Sequence, residues 1–303
     1  MTAVLSALLP LFVLIALGYG ARWIGWPGAK AWRVVEQLTY YMLFPALLFS
    51  SLAGTSLAGG SVVALALALA TLATTALALL AQGPLLLSGP TFSSVIQGAI
   101  RPNTYVGVGA ALAVWGDQGV ALAAVGLATV IPIVNVIAVI GLLRYAPSEG
   151  SETRRSLILS LIKNPLIGSC LAGLAVNAVG FELPDWLMGS LKMLGQASLP
   201  LGLLAVGAAL QLTAIRNRWE AVAAACGLKL IASPIIAALL LGLFGVHGTA
   251  FAVALVYMAV PTSASAYVLA AEMGGDSEAM ATIISASTIL SAITLPLIVL
   301  AVR

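Results

Sequence analysis

Apolar residues run along this chain in long continuous stretches, separated by short groups of glycine, proline and charged residues. A helix needs about 20 apolar residues to cross the hydrocarbon core of a bilayer. Ten stretches have about that length, and none shows the apolar and polar alternation of a membrane β-barrel. We therefore predict ten membrane-spanning helices, spans 1 to 10, near residues 3–21, 34–54, 60–82, 93–116, 120–143, 156–180, 187–212, 220–243, 249–272 and 278–301.

The positions of tryptophan agree with these boundaries. An amphipathic indole ring prefers the headgroup layer, and every tryptophan lies at or beside a predicted helix end. They are Trp23, Trp26, Trp32, Trp115, Trp186 and Trp219. The first stretch is too long for the apolar region of a signal peptide and no Lys or Arg precedes it, so we interpret it as a retained span.

Composition narrows the class of protein. Hydrophobic residues make up 61% of the 303 residues and charged residues only 8%, against roughly 25% charged residues in soluble domains. Too few charged residues are available to coat a soluble core of that size, so lipid must surround the chain. The net charge of +3 is spread along the sequence and offers no basic face for nucleic acid. We predict an all-α polytopic membrane protein.

Basic residues set the predicted orientation, because cytoplasmic loops carry an excess of Lys and Arg. The loops after spans 1, 5 and 7 hold Arg22, Lys30, Arg33, Arg144, Arg154, Arg155, Arg216 and Arg218, whereas the alternate loops hold none. We therefore expect the 144–155 loop in the cytoplasm and both termini outside.

Proline and glycine recur at a nearly constant spacing. Pro10, Pro27, Pro45 and Pro102 are followed 155 to 159 residues later by Pro165, Pro184, Pro200 and Pro261, and Gly116-Asp117 by Gly275-Asp276. An odd number of spans in each repeat inverts the second copy, as in many secondary transporters. We predict two inverted five-helix repeats, 1–143 and 156–303, joined by the inside loop 144–155.

Span 4 carries Arg101, Pro102 and Asn103 at lipid depth. Proline costs about 3 kcal/mol inside a helix, and a charged side chain costs about 2.5 to 3.5 kcal/mol at the centre of a membrane helix. Irregular backbone survives there only where protein buries it or it lines a cavity. Span 9 repeats the pattern at Pro261. We predict that both spans are broken and that their half-helix ends form a binding site.

The helical rise places other polar residues in the same layer. At 1.5 Å per residue, each lies roughly 12 to 15 Å from the inside end of its span. We assign Arg101, Asn103, Thr104, Asn135, Thr262 and Ser263 to a substrate-binding site, with Lys229 as a charge partner. Simpler alternatives remain: the prolines as plain kinks, Asn135 as an interhelical hydrogen-bonding residue, and Lys229 as a side chain that extends to the membrane surface.

Several kinds of chemistry are excluded. Every Asp and Glu lies near a span end or in a loop, so no carboxylate proton relay is expected. His247 is the only histidine and falls in a loop, which excludes a two-histidine metal site and a Ser-His-Asp triad. The sequence has no phosphate-binding P-loop motif. We predict no enzymatic activity, no metal and no cofactor.

Seven motifs follow one another along the chain: RPNTYVGVG, WGDQG, KNPLIGSCLAGL, LGQASLPLGLLAVGAAL, GLKLIASPIIAALLLG, AVPTSASAYVLAAEMGGD and ISASTILSAITLPL. This series resembles the auxin efflux carrier family, which includes plant auxin exporters and bacterial malonate and malate permeases. The resemblance covers nearly the whole chain, and the run from Pro102 to Gly107 is its most specific part.

The resemblance implies a fold similar to that of bile-acid sodium symporters, with spans 1, 2, 6 and 7 as a scaffold and spans 3–5 and 8–10 as a transport domain. It also implies that spans 4 and 9 cross at Pro102 and Pro261, that Asn103 contacts a substrate carboxylate, and that the chain forms a homodimer through the scaffold. The short 144–155 loop is similar to that of bacterial members, which implies a bacterial inner membrane. Arg101 departs from the plant pattern and favours a smaller or more highly charged carboxylate than auxin.

We predict a secondary transporter, an exporter of a small organic anion such as a mono- or dicarboxylate or an auxin-like acid. It would work by alternating access of the transport domain against the scaffold. Two alternatives remain. One is a carboxylate symporter coupled to sodium or protons, with sodium held around Thr262, Ser263 and Ser265; the other is a membrane sensor that binds a ligand without transporting it.

Overall fold

A computed structural model of the chain describes residues 2–54, 60–82, 87–146, 165–211 and 218–302. Within these ranges the chain is helical and forms no β-strand, so the all-α prediction is confirmed there. The helices are α1 (Thr2–Trp23), α2 (Ala29–Leu38), α3 (Phe44–Ala53), α4 (Gly60–Leu80), α5 (Gly89–Ile100), α6 (Thr104–Tyr145), α7 (Pro165–Ala178), α8 (Asp185–Ala209), α9 (Trp219–Gly227), α10 (Ser233–Leu243), α11 (Gly248–Ala259), α12 (Ser265–Glu272) and α13 (Ser277–Val302).

Six helical segments of the described chain are long and apolar enough to cross a membrane. They are Ser6–Trp23, Gly60–Leu80, Thr104–Tyr145, Asp185–Ala209, Trp219–Leu243 and Ser277–Val302. Helices α7 and α11 are apolar but shorter. Residues 147–155 of the predicted inside loop and 156–164 of predicted span 6 lie outside the described residues. The arrangement of ten spans in two inverted repeats stays a prediction.

Two π-helical turns connect helices into longer rods. Residues Thr39–Leu43 join α2 to α3, and Leu228–Ala232 join α9 to α10. Each turn comes just before a proline, Pro45 in the first case and Pro234 in the second. Proline has no N–H and its ring crowds the preceding turn, so the helix widens at that place. Lys229 lies in the second π turn.

The helices pack in two groups. Helices α1, α3, α7 and α8 pack against one another, and α4, α5, α6, α9, α10, α11 and α13 form the second group. Contacts between the groups are made largely by α6, which touches α1, α3, α7 and α8. Helix α6 has a break at Gly116, where φ is 63°, a conformation that favours glycine.

Glycines set the close approach of α1 and α8. A Cβ atom at Gly207 would overlap the carbonyl oxygen of Ile15, and one at Gly18 would overlap that of Leu204. Small residues allow such close backbone contact between membrane helices. Gly189 and Gly20 lie on the same two helices, and a Cβ atom at either would meet no atom within 4 Å. Each helix therefore has one glycine at the close contact and one with free space beside it, Gly207 and Gly189 on α8 and Gly18 and Gly20 on α1.

We expect Gly207→Ala to lower the free energy of unfolding by about 1 to 3 kcal/mol, because the added methyl group forces α1 and α8 apart. Gly189→Ala should leave it unchanged or raise it by up to about 1 kcal/mol, since alanine is the better helix former. Thermal unfolding of the purified variants in detergent measures the difference. Equal melting temperatures would contradict the close packing of α1 on α8.

A polar cluster joins the starts of three helices. The Asp276 carboxylate caps α13 by accepting the Ala279 N–H at 3.0 Å, and it accepts the Thr91 hydroxyl at 2.7 Å. Arg218 pairs with the same carboxylate at 2.8 Å. The Ser94 hydroxyl donates to the Asp276 carbonyl at 2.9 Å. The starts of α5, α9 and α13 therefore meet, and the predicted topology places all three on the cytoplasmic side.

Candidate functional site

Two interruptions of the helices face each other inside the second group. The break between α5 and α6 lies against the break between α11 and α12. Pro102 and Thr262 pair there as an isolated antiparallel bridge. We call residues 101–103 and 260–264 the crossover.

Backbone hydrogen bonds join the two breaks. The Asn103 N–H donates to the Pro261 carbonyl at 2.8 Å, and the Ser263 N–H donates to the Arg101 carbonyl at 3.1 Å. These bonds satisfy polar backbone groups that the interrupted helices leave unpaired. The irregular segments are thus stabilised by each other within the protein, as membrane depth requires.

Thr262 fastens the crossover to the surrounding helices. Its hydroxyl donates to the Gly98 carbonyl near the end of α5 at 2.7 Å. Its N–H donates to the Ser287 hydroxyl oxygen on α13 at 3.1 Å. The side chain is fully buried. The proton of this predicted ligand is therefore already committed to a structural hydrogen bond.

Four helix ends converge on the crossover. Helices α5 and α11 end there, and α6 and α12 begin there. A helix N-terminus carries about +0.5 of an elementary charge and a C-terminus about −0.5. The Asn103 Oδ1 atom caps α6 by accepting the Val106 N–H at 3.3 Å, which turns the Asn103 amide nitrogen away from the helix. The start of α6 thus combines a positive helix end with a side-chain donor, a combination suited to an anion.

Arg101 lies at this position with an incompletely satisfied guanidinium. The side chain is 8% exposed. Its Nη2 donates to the Ser265 hydroxyl oxygen at 3.2 Å, while its buried Nη1 has no partner within the described ranges. The salt bridges of the described residues join Arg218 to Asp276 and Glu278. No described carboxylate therefore forms a salt bridge with Arg101.

Two further buried amides have free hydrogen-bonding groups. Among the described residues, the Asn103 Nδ2 has no partner, and neither does either amide atom of Gln97. Asn103 is 1% exposed and Gln97 is fully buried. Buried polar groups are normally hydrogen-bonded, and an unpaired one costs about 1 to 3 kcal/mol. Sequence reasoning missed Gln97, although its position four residues before Arg101 in an apolar span is a usable signal.

The remaining predicted ligands lie at different distances from this centre. Thr104 is buried as the first residue of α6. The Ser263 and Ser265 hydroxyls are 3.0 Å apart, which places Ser263 beside the Arg101 guanidinium. Asn135 is half-buried farther along α6, and no hydrogen bond among the described residues joins it to the crossover. Its role in binding stays a prediction.

Lys229 approaches the crossover from the π turn between α9 and α10. It is 1% exposed, and its Nζ donates to the Met258 carbonyl near the end of α11 at 3.2 Å. The alternative that this side chain extends to the membrane surface is therefore wrong. Lys229 thus lies beside the end of α11 at the crossover, and its role as a charge partner of the substrate stays a prediction.

A cavity of about 620 Å³ opens between the two groups of helices. It lies between α1, α3 and α8 on one side and the first part of α6 on the other. This volume is within the roughly 300 to 1,000 Å³ of small-molecule sites. Its polar lining residues are Ser50, Ser51, Asp117, Lys192 and Gln196. The cavity reaches Gly109, six residues or about 9 Å along α6 from Asn103.

Tyr105 lies along α6 between Asn103 and the cavity. Its ring packs edge-on against Phe44 of α3, with centroids 4.9 Å apart. It also fills the space beside Gly202 of α8, where a Cβ atom would lie 2.9 Å from the Tyr105 Cγ. Tyr105 thus makes a contact between the two groups two residues after the crossover. Neither this contact nor the cavity has a local sequence signal.

Comparisons with known proteins agree with a transport role. The family described as "Membrane transport protein" matches residues 148–299, half of the chain. A Rhizobium meliloti protein named "Putative malonate transporter" is 26% identical over 307 residues, covering 97% of this chain and 94% of that protein. A Methanothermobacter thermautotrophicus protein named "Uncharacterized transporter" is 26% identical over 211 residues, covering 69% of this chain and 68% of that protein. Both relatives are thus named as transporters.

Proposed function

The chain belongs to the membrane transport protein family, the auxin efflux carrier family that its motifs resemble, and on this premise we propose that it carries a small dicarboxylate such as malonate. Family membership, with six apolar helices long enough to cross a bilayer, makes it an integral membrane protein and not an enzyme. The name of the Rhizobium meliloti relative supports malonate as the first substrate to test.

The Arg101 guanidinium, which forms no salt bridge among the described residues, carries this proposal. A buried charge without a counter-ion is costly, and Arg101 Nη1 and Asn103 Nδ2 are both buried donors without partners in the described part of the chain. A carboxylate bound between them would neutralise the first and accept a hydrogen bond from each. The positive end of α6 adds to the attraction. The second carboxylate of a dicarboxylate would face the hydroxyls of Ser263 and Ser265.

The packing of the helices supports an alternating-access mechanism. Helices α1, α3, α7 and α8, which pack together, correspond to predicted spans 1, 2, 6 and 7 and form the scaffold. The second group is the transport domain and carries the crossover. In the predicted orientation the cavity opens to the outside, so the described conformation is outward-facing. Movement of the transport domain along the scaffold would expose the bound anion to the cytoplasm.

We propose export as the physiological direction, from a bacterial inner membrane and by a homodimer that associates through the scaffold. An inside-negative potential drives anions outward, by about 2.3 kcal/mol for each charge and 100 mV. The buried residues of the described chain include no Asp or Glu that would carry a coupled proton. Malonate, with two negative charges at neutral pH, would gain twice the driving force of a monocarboxylate.

Charge movement on a solid-supported membrane tests this function. We expect malonate to give a saturable current at symmetric pH without sodium, and succinate, malate, lactate and indole-3-acetate to rank its selectivity. A current that appears only with a sodium or proton gradient would replace the proposal by coupled symport. Saturable malonate binding without uptake into liposomes would identify a sensor and contradict transport.

A further inference from the structure

Basic and aromatic side chains gather where α1 passes into α2. This segment holds three basic residues and three tryptophans but no Asp or Glu, and we call these six residues the basic-aromatic patch: Arg22, Trp23, Trp26, Lys30, Trp32 and Arg33. The three basic side chains are exposed, as are Trp23 and Trp26. In the predicted orientation this positive, aromatic surface lies at the cytoplasmic face of the membrane.

Hydrogen bonds hold the patch in place. The Arg22 Nη1 donates to the Ala208 carbonyl at 3.0 Å, near the end of α8. The Trp32 indole N–H donates to the Trp26 carbonyl at 3.2 Å. Helix α8 packs against both α1 and α2. The patch is therefore an ordered surface fixed to these three helices.

A hollow of about 180 Å³ lies within the patch. Its lining residues are Arg22, Gly25, Gly28, Ala29 and Trp32. The volume is below the roughly 300 Å³ at which sites for drug-sized ligands begin, so the hollow suits a small group. A guanidinium and an indole ring border it, and the small residues leave the rest of the lining to backbone. A compact anionic group fits these surroundings, because a guanidinium pairs well with phosphate.

Other basic residues on the predicted cytoplasmic side already have protein partners. Arg218 pairs with Asp276 at 2.8 Å, and the Arg144 guanidinium lies over the ring of the next residue, 5.9 Å from its centroid. By contrast, no described carboxylate forms a salt bridge with a basic residue of the patch, and this includes Glu36, three residues after Arg33. The positive charge of the patch is therefore available to a ligand from outside the protein.

We propose that the basic-aromatic patch binds the phosphate of an anionic phospholipid, such as phosphatidylglycerol, from the leaflet on the predicted cytoplasmic side. The phosphate would enter the hollow beside Arg22, and Lys30 and Arg33 would add to the attraction. The tryptophan rings favour a lipid over a soluble anion, since indole prefers the headgroup layer. A second copy is disfavoured, because a two-fold axis would bring two positive patches together. This inference goes beyond the proposed function and does not depend on the transported anion.

Two exposed charges can be removed to test the site. Lys30→Gln removes one, and the double variant Lys30→Gln/Arg33→Gln removes both, whereas Arg22 is retained because it also bonds Ala208. Arg144→Gln is the matched control, since it removes one exposed charge from the same predicted side, and Lys30→Arg/Arg33→Lys retains both charges. Each full-length protein in neutral detergent is titrated with phosphatidylglycerol, phosphatidylcholine and inorganic phosphate. The dissociation constant and the melting temperature are measured.

We expect phosphatidylglycerol to bind the wild type and raise its melting temperature by a few degrees, and phosphatidylcholine and inorganic phosphate to leave that temperature unchanged. A basic residue near an anionic lipid surface contributes about 1 kcal/mol. Lys30→Gln should therefore bind phosphatidylglycerol roughly fivefold more weakly, and the double variant roughly 30-fold. Arg144→Gln and Lys30→Arg/Arg33→Lys should bind it like the wild type. Added salt should weaken wild-type binding.

Four results would overturn the proposal. Equal affinity for phosphatidylcholine would assign binding to the acyl chains, and equal stabilisation by inorganic phosphate would indicate a site for a soluble anion. Equal losses of affinity in Lys30→Gln and Arg144→Gln would point to net charge alone. A changed oligomeric mass of the double variant, with unchanged affinity for phosphatidylglycerol, would identify a second copy as the partner. None of these measurements uses malonate, so a failure of carboxylate transport would refute only the proposed function.

Discussion

Replacing Arg101 by glutamine is expected to weaken malonate binding by roughly 30- to 5,000-fold. Losing one partner of a buried, hydrogen-bonded charge pair costs about 2 to 5 kcal/mol, and each 1.4 kcal/mol is a factor of ten in affinity. Glutamine keeps hydrogen-bond donors but has no charge, so the loss of affinity measures the contribution of the Arg101 charge. Isothermal titration of malonate into the purified variant measures the effect.

The matched control for the lost charge is Arg218→Gln. Arg218 is neutralised by Asp276 at 2.8 Å and lies away from the crossover, so its loss should reduce thermal stability without changing the affinity for malonate. If Arg101→Gln binds malonate as tightly as the wild type, Arg101 does not contact the anion. Equal losses of affinity in both variants would point to a diffuse effect of net charge.

Asn103 needs a variant that separates its two roles. Its Oδ1 caps α6, while its Nδ2 is free. Asn103→Ser retains a good capping side chain but loses the amide donor. A hydrogen bond to a charged group contributes about 1.5 to 3 kcal/mol, so affinity should fall roughly 10- to 150-fold. A wild-type affinity with an unchanged melting temperature would restrict Asn103 to its structural role.

The breaks in α5–α6 and α11–α12 were predictable because Arg101, Pro102 and Pro261 violate a strong local rule. A charge and a proline within an apolar span of helical length are incompatible with a regular lipid-facing helix. The same reasoning identified Asn103, since it adjoins the break. Depth arithmetic alone selected Asn135, and depth does not specify which face of a helix a residue occupies, so the place of Asn135 in the site stays a prediction.

The rest of the candidate site depends on contacts between distant parts of the chain. The Lys229 to Met258 bond joins residues 29 apart, and the Thr262 to Gly98 bond joins residues 164 apart. Tyr105 and Gly202 meet because two helix groups pack there. An aromatic or glycine residue in a membrane helix is too common to indicate such a contact. Sequence pattern therefore located the breaks, while packing determined which donors stay free.

A disulfide between positions 105 and 202 is expected to stop transport completely and reversibly. A Cβ atom at Gly202 would lie 2.9 Å from the Tyr105 Cγ, so the two Cβ atoms are within about 4.5 Å, the distance over which disulfides form. The Tyr105→Cys change removes the ring that would obstruct a side chain at Gly202. Cys170 and Cys226, both buried, are replaced by alanine so that the engineered pair is the only one.

This cross-link joins α6 of the proposed transport domain to α8 of the proposed scaffold, two residues after the crossover. If transport requires these bodies to move past each other, the oxidised protein keeps one conformation and a single turnover cannot be completed. Uptake should return on reduction, and each single-cysteine protein should transport equally with and without oxidant. If the fully cross-linked protein takes up malonate as fast as the protein with free thiols, α6 and α8 stay together during transport. The boundary between the moving bodies would then lie elsewhere in the chain.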